Sequence, residues 1–159
     1  KYCIDIGLLS QITYPGDWMD DVKKHNDKYR EVSTTLSQLL GAKSQAVNVY
    51  YPPGGFMGWH NNWNAAGYNI LLSYNEIDEG GFFKYRDPVK DEVVTMPDQK
   101  GWSCKVGYYG RKDGPSDKIY YHCAGSHTPR ITLGFIVPEI EMWRDMIEDI
   151  SGEDASHFS

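Results

Sequence analysis

At 159 residues, 40% of them hydrophobic and 14% aromatic, the chain has the length of one domain and enough apolar material for one well-filled core, so one site is expected rather than several. Its 22 acidic and 16 basic residues give a formal net charge of −6 with no long basic run, which excludes nucleic acid held by phosphate neutralisation. Cys3, Cys104 and Cys123 are odd in number and lack C-x-x-C spacing, and no apolar run reaches the roughly 18 residues of a membrane span, so the expectation is a soluble cytoplasmic protein with no disulfide framework, zinc ribbon or membrane contact.

In chain order, the opening "KYCIDIGLLS" lacks the cationic and apolar segments of a signal peptide, and its start at Lys1 rather than methionine points to a trimmed or excised segment. From Asp17, an N-cap after Pro15 and Gly16, apolar residues recur at Trp18, Val22, Tyr29, Val32, Leu36, Leu39 and Leu40 before Gly41. This spacing predicts a helix over about 17–40 with one buried face, a buttress against a sheet, while "DDVKKHNDKYRE" supplies the wet face. Short aromatic and β-branched runs follow: "AVNVYY", "FMGWHN", "YNILLSY", "GFFKY", "EVVTM", "WSCKVGYY", "KIYYHC" and "RITLGFIV". Between them lie turn-forming stretches such as "PPGG", "NEIDEGG", "PDQKG" and "AGSHTP". Eight strands over about 46–138 predict a mainly β domain, a double-stranded β-helix or jelly roll. Residues 139–159 complete the single domain with a short helix, "EIEMWRDMIEDI", and a frayed tail.

Alternation along a strand puts His60 and Asn62 on one face and turns Trp59 and Asn61 away. The same rule joins His122 to Tyr120, and it separates Arg130, Thr132 and Gly134 from the apolar Ile131, Leu133, Phe135 and Val137. An arginine on a buried face is costly unless an anion meets it. Asn69, Leu71 and Ser73 alternate along "NILLSY" and are assigned to the same cavity. Each feature has a plain reading: a packed histidine, an asparagine turn, a surface arginine at a strand start. The combination is more specific, because a short-spaced pair, a distant late histidine and an Arg-x-Thr eight residues on fall in that order along eight strands.

This order resembles the iron(II)- and 2-oxoglutarate-dependent oxygenases over about residues 46–138, and "YPPGG" before a histidine motif is similar to their prolyl-4-hydroxylase-like branch. The resemblance implies a facial metal site of His60, Asn62 and His122. It further implies Arg130 and Thr132 as the grip on the cosubstrate's distal carboxylate, with Tyr51 adding a hydrogen bond. The implied reaction consumes O2, converts 2-oxoglutarate to succinate and hydroxylates a substrate, with ascorbate as an accessory reductant. Phe56, Trp59, Trp63, Phe82, Phe83 and Tyr85 are the nearby aromatics available to wall such a site. His127 competes with His122 as the late ligand, but it sits in a turn three residues before Arg130.

Asn62 departs from the family, which has a carboxylate there; an amide oxygen can bind iron but offsets none of its charge. Three outcomes stay open: an oxygenase with a His-Asn-His site, a halogenase-like enzyme with that position open to halide, or a catalytically silent jelly roll. A cupin-like protein with a histidine-held metal and no oxo acid would share the strands but not the need for Arg130. The expected partner is a small molecule or peptide, contacted by "NNWNAAG" and "YYGRKDGPSD".

Overall fold

The computed structural model of the chain describes residues 4–5, 18–62, 65–110, 114–116, 119–137, 139–152 and 154. Helix α1, Trp18–Leu39, ends in a Schellman motif. Gly41 takes a left-handed φ of 58° that suits a residue without Cβ, its N–H donates to Gln38 O, and Ala42 N–H donates to Ser37 O. The buried stripe is narrower than the spacing predicts. Tyr29, Leu36 and Leu40 are half-buried, but Val32 is 49% and Leu39 78% exposed; the side chains of Trp18 and Val22 lie outside the described part. The helix meets the sheet near its C-terminal end, where Ser33 Oγ donates to Gln45 Oε1 and Leu40 packs on the core.

The described residues contain nine strands, seven of them close to the expected runs: β1 Ile4–Asp5, β2 Ser44–Tyr51, β3 Phe56–His60, β4 Gly67–Asn75, β5 Gly81–Asp87, β6 Glu92–Pro97, β7 Gly101–Tyr109, β8 His122–Ser126 and β9 Arg130–Val137. They form two antiparallel sheets, β1-β2-β9-β4-β7 and β3-β8-β5-β6, the two layers of a jelly roll with flanking helices. The two-residue β1 was not among the expected strands. A larger correction concerns β8, which starts at His122 instead of within "KIYY" and runs through Ala124, Gly125 and Ser126, expected to be a turn. Those small residues are there because bulky ones face them: a Cβ on Gly125 would sit 2.8 Å from the Phe82 ring. Composition signals a turn where packing requires a thin strand.

Strand β9 lies between β2 and β4, and nearly all its residues are buried because both faces are covered. On the outer face Ile70, Val137, Trp143 and Ile147 form a cluster that seats helix α2, Ile140–Ser151, against the sheet, and Leu40 joins it from the end of α1. Burying each such aliphatic side chain contributes about 1.5–3 kcal/mol. On the inner face β9 presents Arg130, Thr132 and Gly134. Gly134 lets Val47 and Leu71 close over the strand, since a Cβ there would lie 2.8 Å from Val47 Cβ. Val49, Tyr51 and Ala124, with Met57 and Phe83, pack together between the sheets.

Candidate functional site

Pairing of β3 with β8 makes His60 and His122 direct cross-strand partners, with ring centroids 4.3 Å apart. The ladder is irregular between Met57 and His60, so that both residues face inward although they are three apart, and Trp59 is left exposed. Strand alternation therefore does not place Asn62: β3 stops at His60 and Asn62 lies in the following turn, where its carbonyl accepts Ala65 N–H at 2.8 Å. It still lines the same cavity. Tyr120, expected beside His122 on a strand, precedes β8.

One small cavity between the sheets, of about 30 Å³, is lined by Tyr51, His60, Asn62, His122, Arg130 and Thr132 together, with Leu71, Phe83 and Tyr109 among its apolar walls. Ser73 reaches the site through Arg130, whereas Asn69 is fully buried and holds Gly67 O and Ala65 O with its amide NH2. Phe56 is exposed, His127 is exposed in the bend after β8, and Trp63 lies outside the described residues. Among the described residues no three His, Cys, Asp or Glu side chains converge, and the described side chain that lines the cavity with an amide beside the two histidines is Asn62.

The histidines are prepared alike. His60 Nδ1 lies 2.7 Å from Gly58 O, and His122 Nδ1 lies 3.2 Å from Tyr120 O. A carbonyl only accepts, so each Nδ1 carries a proton, and Nε2 is the nitrogen whose lone pair each ring, when neutral, keeps for another partner. Phe83 stacks on His122 at 5.3 Å and Tyr109 approaches it at 4.8 Å. Burial, then the adjacent His60, push the His122 pKa down to about 4 against the raising effect of the Tyr120 carbonyl. In the unfolded chain the ring titrates near 6.5. Between these values the unfolded state binds more protons, so the stability contributed by neutral His122 is complete above about pH 6.5 and is lost as pH falls to about 4, on the order of 3 kcal/mol in all. Urea unfolding of chelator-treated protein should show this loss between pH 7 and pH 4.5, and His122→Leu should flatten the profile in that window; an unchanged slope in the variant would assign the loss to another group.

Arg130 is 1% exposed, and its guanidinium stands over the Tyr51 ring at 4.9 Å. Nε donates to Asp98 Oδ2 at 2.6 Å, Nη1 to Thr132 Oγ1 at 2.6 Å and Nη2 to Ser73 Oγ at 3.2 Å. The anion that a buried arginine calls for is thus supplied in part by the chain itself. Asp98 also accepts from Lys105 Nζ at 2.6 Å, and all three groups are buried. Gly81 leaves the room for this, since a Cβ there would lie 2.6 Å from Asp98 Oδ2. Burial, the largest single influence on Asp98, favours its neutral form, but the hydrogen bonds and charges of Arg130 and then Lys105 outweigh it and hold the carboxyl below its usual range. Two cations against one anion leave this buried triad with a net charge of +1, and Arg130 lines the cavity.

Sequence reasoning missed Asp98, which "PDQKG" presents as an ordinary turn residue. The signal that could have found it was Lys105: in "WSCKVGYY" it shares the inward parity of Tyr109, and a lysine facing a core requires a counter-ion.

Fold and site together define a double-stranded β-helix with a two-histidine, positively charged cavity between its sheets. No protein-family model matches this sequence, and neither does the sequence of any curated protein. Among solved structures, a cupin domain from Bordetella pertussis Tohama I is similar with a TM-score of 0.38 and 14% identity over 61% of this chain and 85% of that one. CapF, solved with the inhibitor 3-isopropenyl-tropolone, is similar with a TM-score of 0.38 and 15% identity, over 59% of this chain and 25% of that one.

Proposed function

We propose that the protein is an iron(II)- and 2-oxoglutarate-dependent oxygenase, with His60, His122 and Asn62 as metal ligands and Arg130 and Thr132 as the seat of the cosubstrate's distal carboxylate. The observation that carries this reading is the pair of cross-strand histidines whose Nδ1 atoms are both tied to backbone carbonyls. Carbonyl partners of this kind fix the tautomer in which Nε2 is the ligand. Their 4.3 Å centroid separation matches the about 4.5 Å expected of two imidazoles at right angles on a metal with bonds of about 2.1 Å. Bound iron(II) would supply activation of O2, coupling conversion of 2-oxoglutarate to succinate with substrate hydroxylation.

The chain's own residues supply the rest. His122 stays neutral at pH 7 and so competes for no negative ligand. Asp98 holds Arg130 by Nε and leaves Nη1 and Nη2 on rotatable hydroxyls, Thr132 and Ser73, which can turn to serve an incoming carboxylate. The buried +1 charge favours such an anion, and the apolar walls keep water from the reacting atoms.

A second reading, a non-catalytic jelly roll that binds an anion, is favoured by the neutral Asn62 and by the counter-ion already on Arg130. One pair of measurements separates the two: calorimetric titration of 2-oxoglutarate in the presence of Mn(II), and succinate formation with Fe(II), O2 and ascorbate. Binding with slow succinate formation in the absence of substrate is the expected result. Binding without any succinate across a substrate screen supports the second reading, and no binding removes both.

A further inference from the structure

Beside the histidine cavity lies a second, wider cleft of about 350 Å³, walled by Tyr85, Tyr108, Tyr109 and Tyr120 together with Met96 and Lys105. Leu71, Phe83 and Tyr109 line both spaces, so the two share a wall. Inside the cleft the inner face of β7 has a gap. Lys105, Gly107 and Tyr109 share one parity, and a Cβ on Gly107 would meet nothing within 4 Å. Its cross-strand partner, Asn69, is fully buried and stands on the same face, with both amide hydrogens committed and Oδ1 without a hydrogen-bond partner. Asn69 is fully buried and does not itself line the cleft, and its orphaned Oδ1 is the acceptor that a ligand donor entering over Gly107 would satisfy.

The charge balance narrows the ligand further. Among the described residues Lys105 is the only charged one that lines the cleft, and its ammonium is already met by Asp98 at 2.6 Å and by Ser103 Oγ at 3.3 Å. On the other side of the triad Arg130, itself buried, lines the histidine cavity. A charged group would therefore find no uncommitted charged partner among the cleft's described lining residues. Tyrosine rings offer faces and edges to a planar ring, as Tyr85 and Tyr120 already do to each other in an edge-to-face contact at 6.0 Å. We propose that this cleft is a binding site for an uncharged aromatic ring bearing a hydrogen-bond donor. Its role as the substrate's seat rests on the oxygenase reading, but ring binding itself does not.

Indole, an uncharged ring with one N–H donor, is the probe. Titrated into the full chain and followed by amide chemical shifts, it should move the resonances of Val106–Tyr109 and Asn69 and saturate at millimolar concentration or below. Gly107→Leu fills the gap without strain and replaces a weak strand residue by a stronger one, so the fold should be kept. It should weaken indole binding at least tenfold while leaving the affinity for 2-oxoglutarate with Mn(II) within twofold. Gly107→Ala should fall between, and it serves as the readout should the leucine variant unfold. Absence of indole binding, or equal binding by the wild type and the glycine variants, overturns the proposal. Loss of 2-oxoglutarate binding in the wild type with indole binding retained would sink the oxygenase reading alone.

Discussion

Asp98→Asn is expected to lower the free energy of unfolding by about 3–5 kcal/mol, the range for removing one partner of a buried ion pair. The substitution keeps the shape of the side chain and removes only its charge, leaving Arg130 and Lys105 buried with a net +2 and a single carbonyl oxygen between them. Urea unfolding at pH 7 reads the loss, and Asp91→Asn, which breaks the exposed pair with Arg86, is the control expected to change little. A second readout tests the link to ligand binding. If the buried positive charge is what draws an anion into the cavity, 2-oxoglutarate with Mn(II) should stabilise Asp98→Asn more than the wild type, because the ligand replaces a missing counter-ion. A stability loss below about 1 kcal/mol would show that water or a shifted side chain already neutralises the cations.

That residue also marks the limit of what the sequence displays. Hydrophobic alternation places Arg130 and Thr132 inward, because β9 is a regular strand at the centre of its sheet and its parity is uninterrupted over these residues. The same rule assigns Asn62 to the cavity for the wrong reason. β3 carries a ladder irregularity before His60 and ends there, so the position of Asn62 is set by a turn rather than by parity. Asp98 is out of reach of local pattern altogether. It sits between β6 and β7, 32 residues from Arg130, and becomes a site residue only when its backbone N–H docks on Gly81 O and carries the carboxylate under β9. Strand β8 fails in the opposite way, since its small residues look like a turn until Phe82 is placed over them. Periodicity within an element survives in the sequence; the pairing of charges between elements does not.

The remaining large effect concerns Asn62. In the proposed site the protein offers two neutral imidazoles and a neutral amide, so none of the metal's double charge is offset by a ligand from the chain, and the nearest ionised groups sum to a further +1. Metal affinity should then depend on the cosubstrate, whose two carboxylates bring the missing negative charge, and by linkage each must strengthen the other's binding by the same factor. Asn62→Asp places a carboxylate in the same turn with little change in volume. It is expected to raise the affinity for Mn(II) alone at least tenfold, a gain of about 1.4 kcal/mol, and to shrink the enhancement that 2-oxoglutarate confers. Calorimetric titrations of Mn(II) into both proteins, with and without 2-oxoglutarate, yield the four constants. Equal Mn(II) affinity in the two proteins would place residue 62 away from the metal and leave His60 and His122 as its only ligands from this set. A gain in affinity with the cosubstrate's enhancement undiminished would keep Asn62 at the metal but overturn the charge argument for why the two ligands bind together.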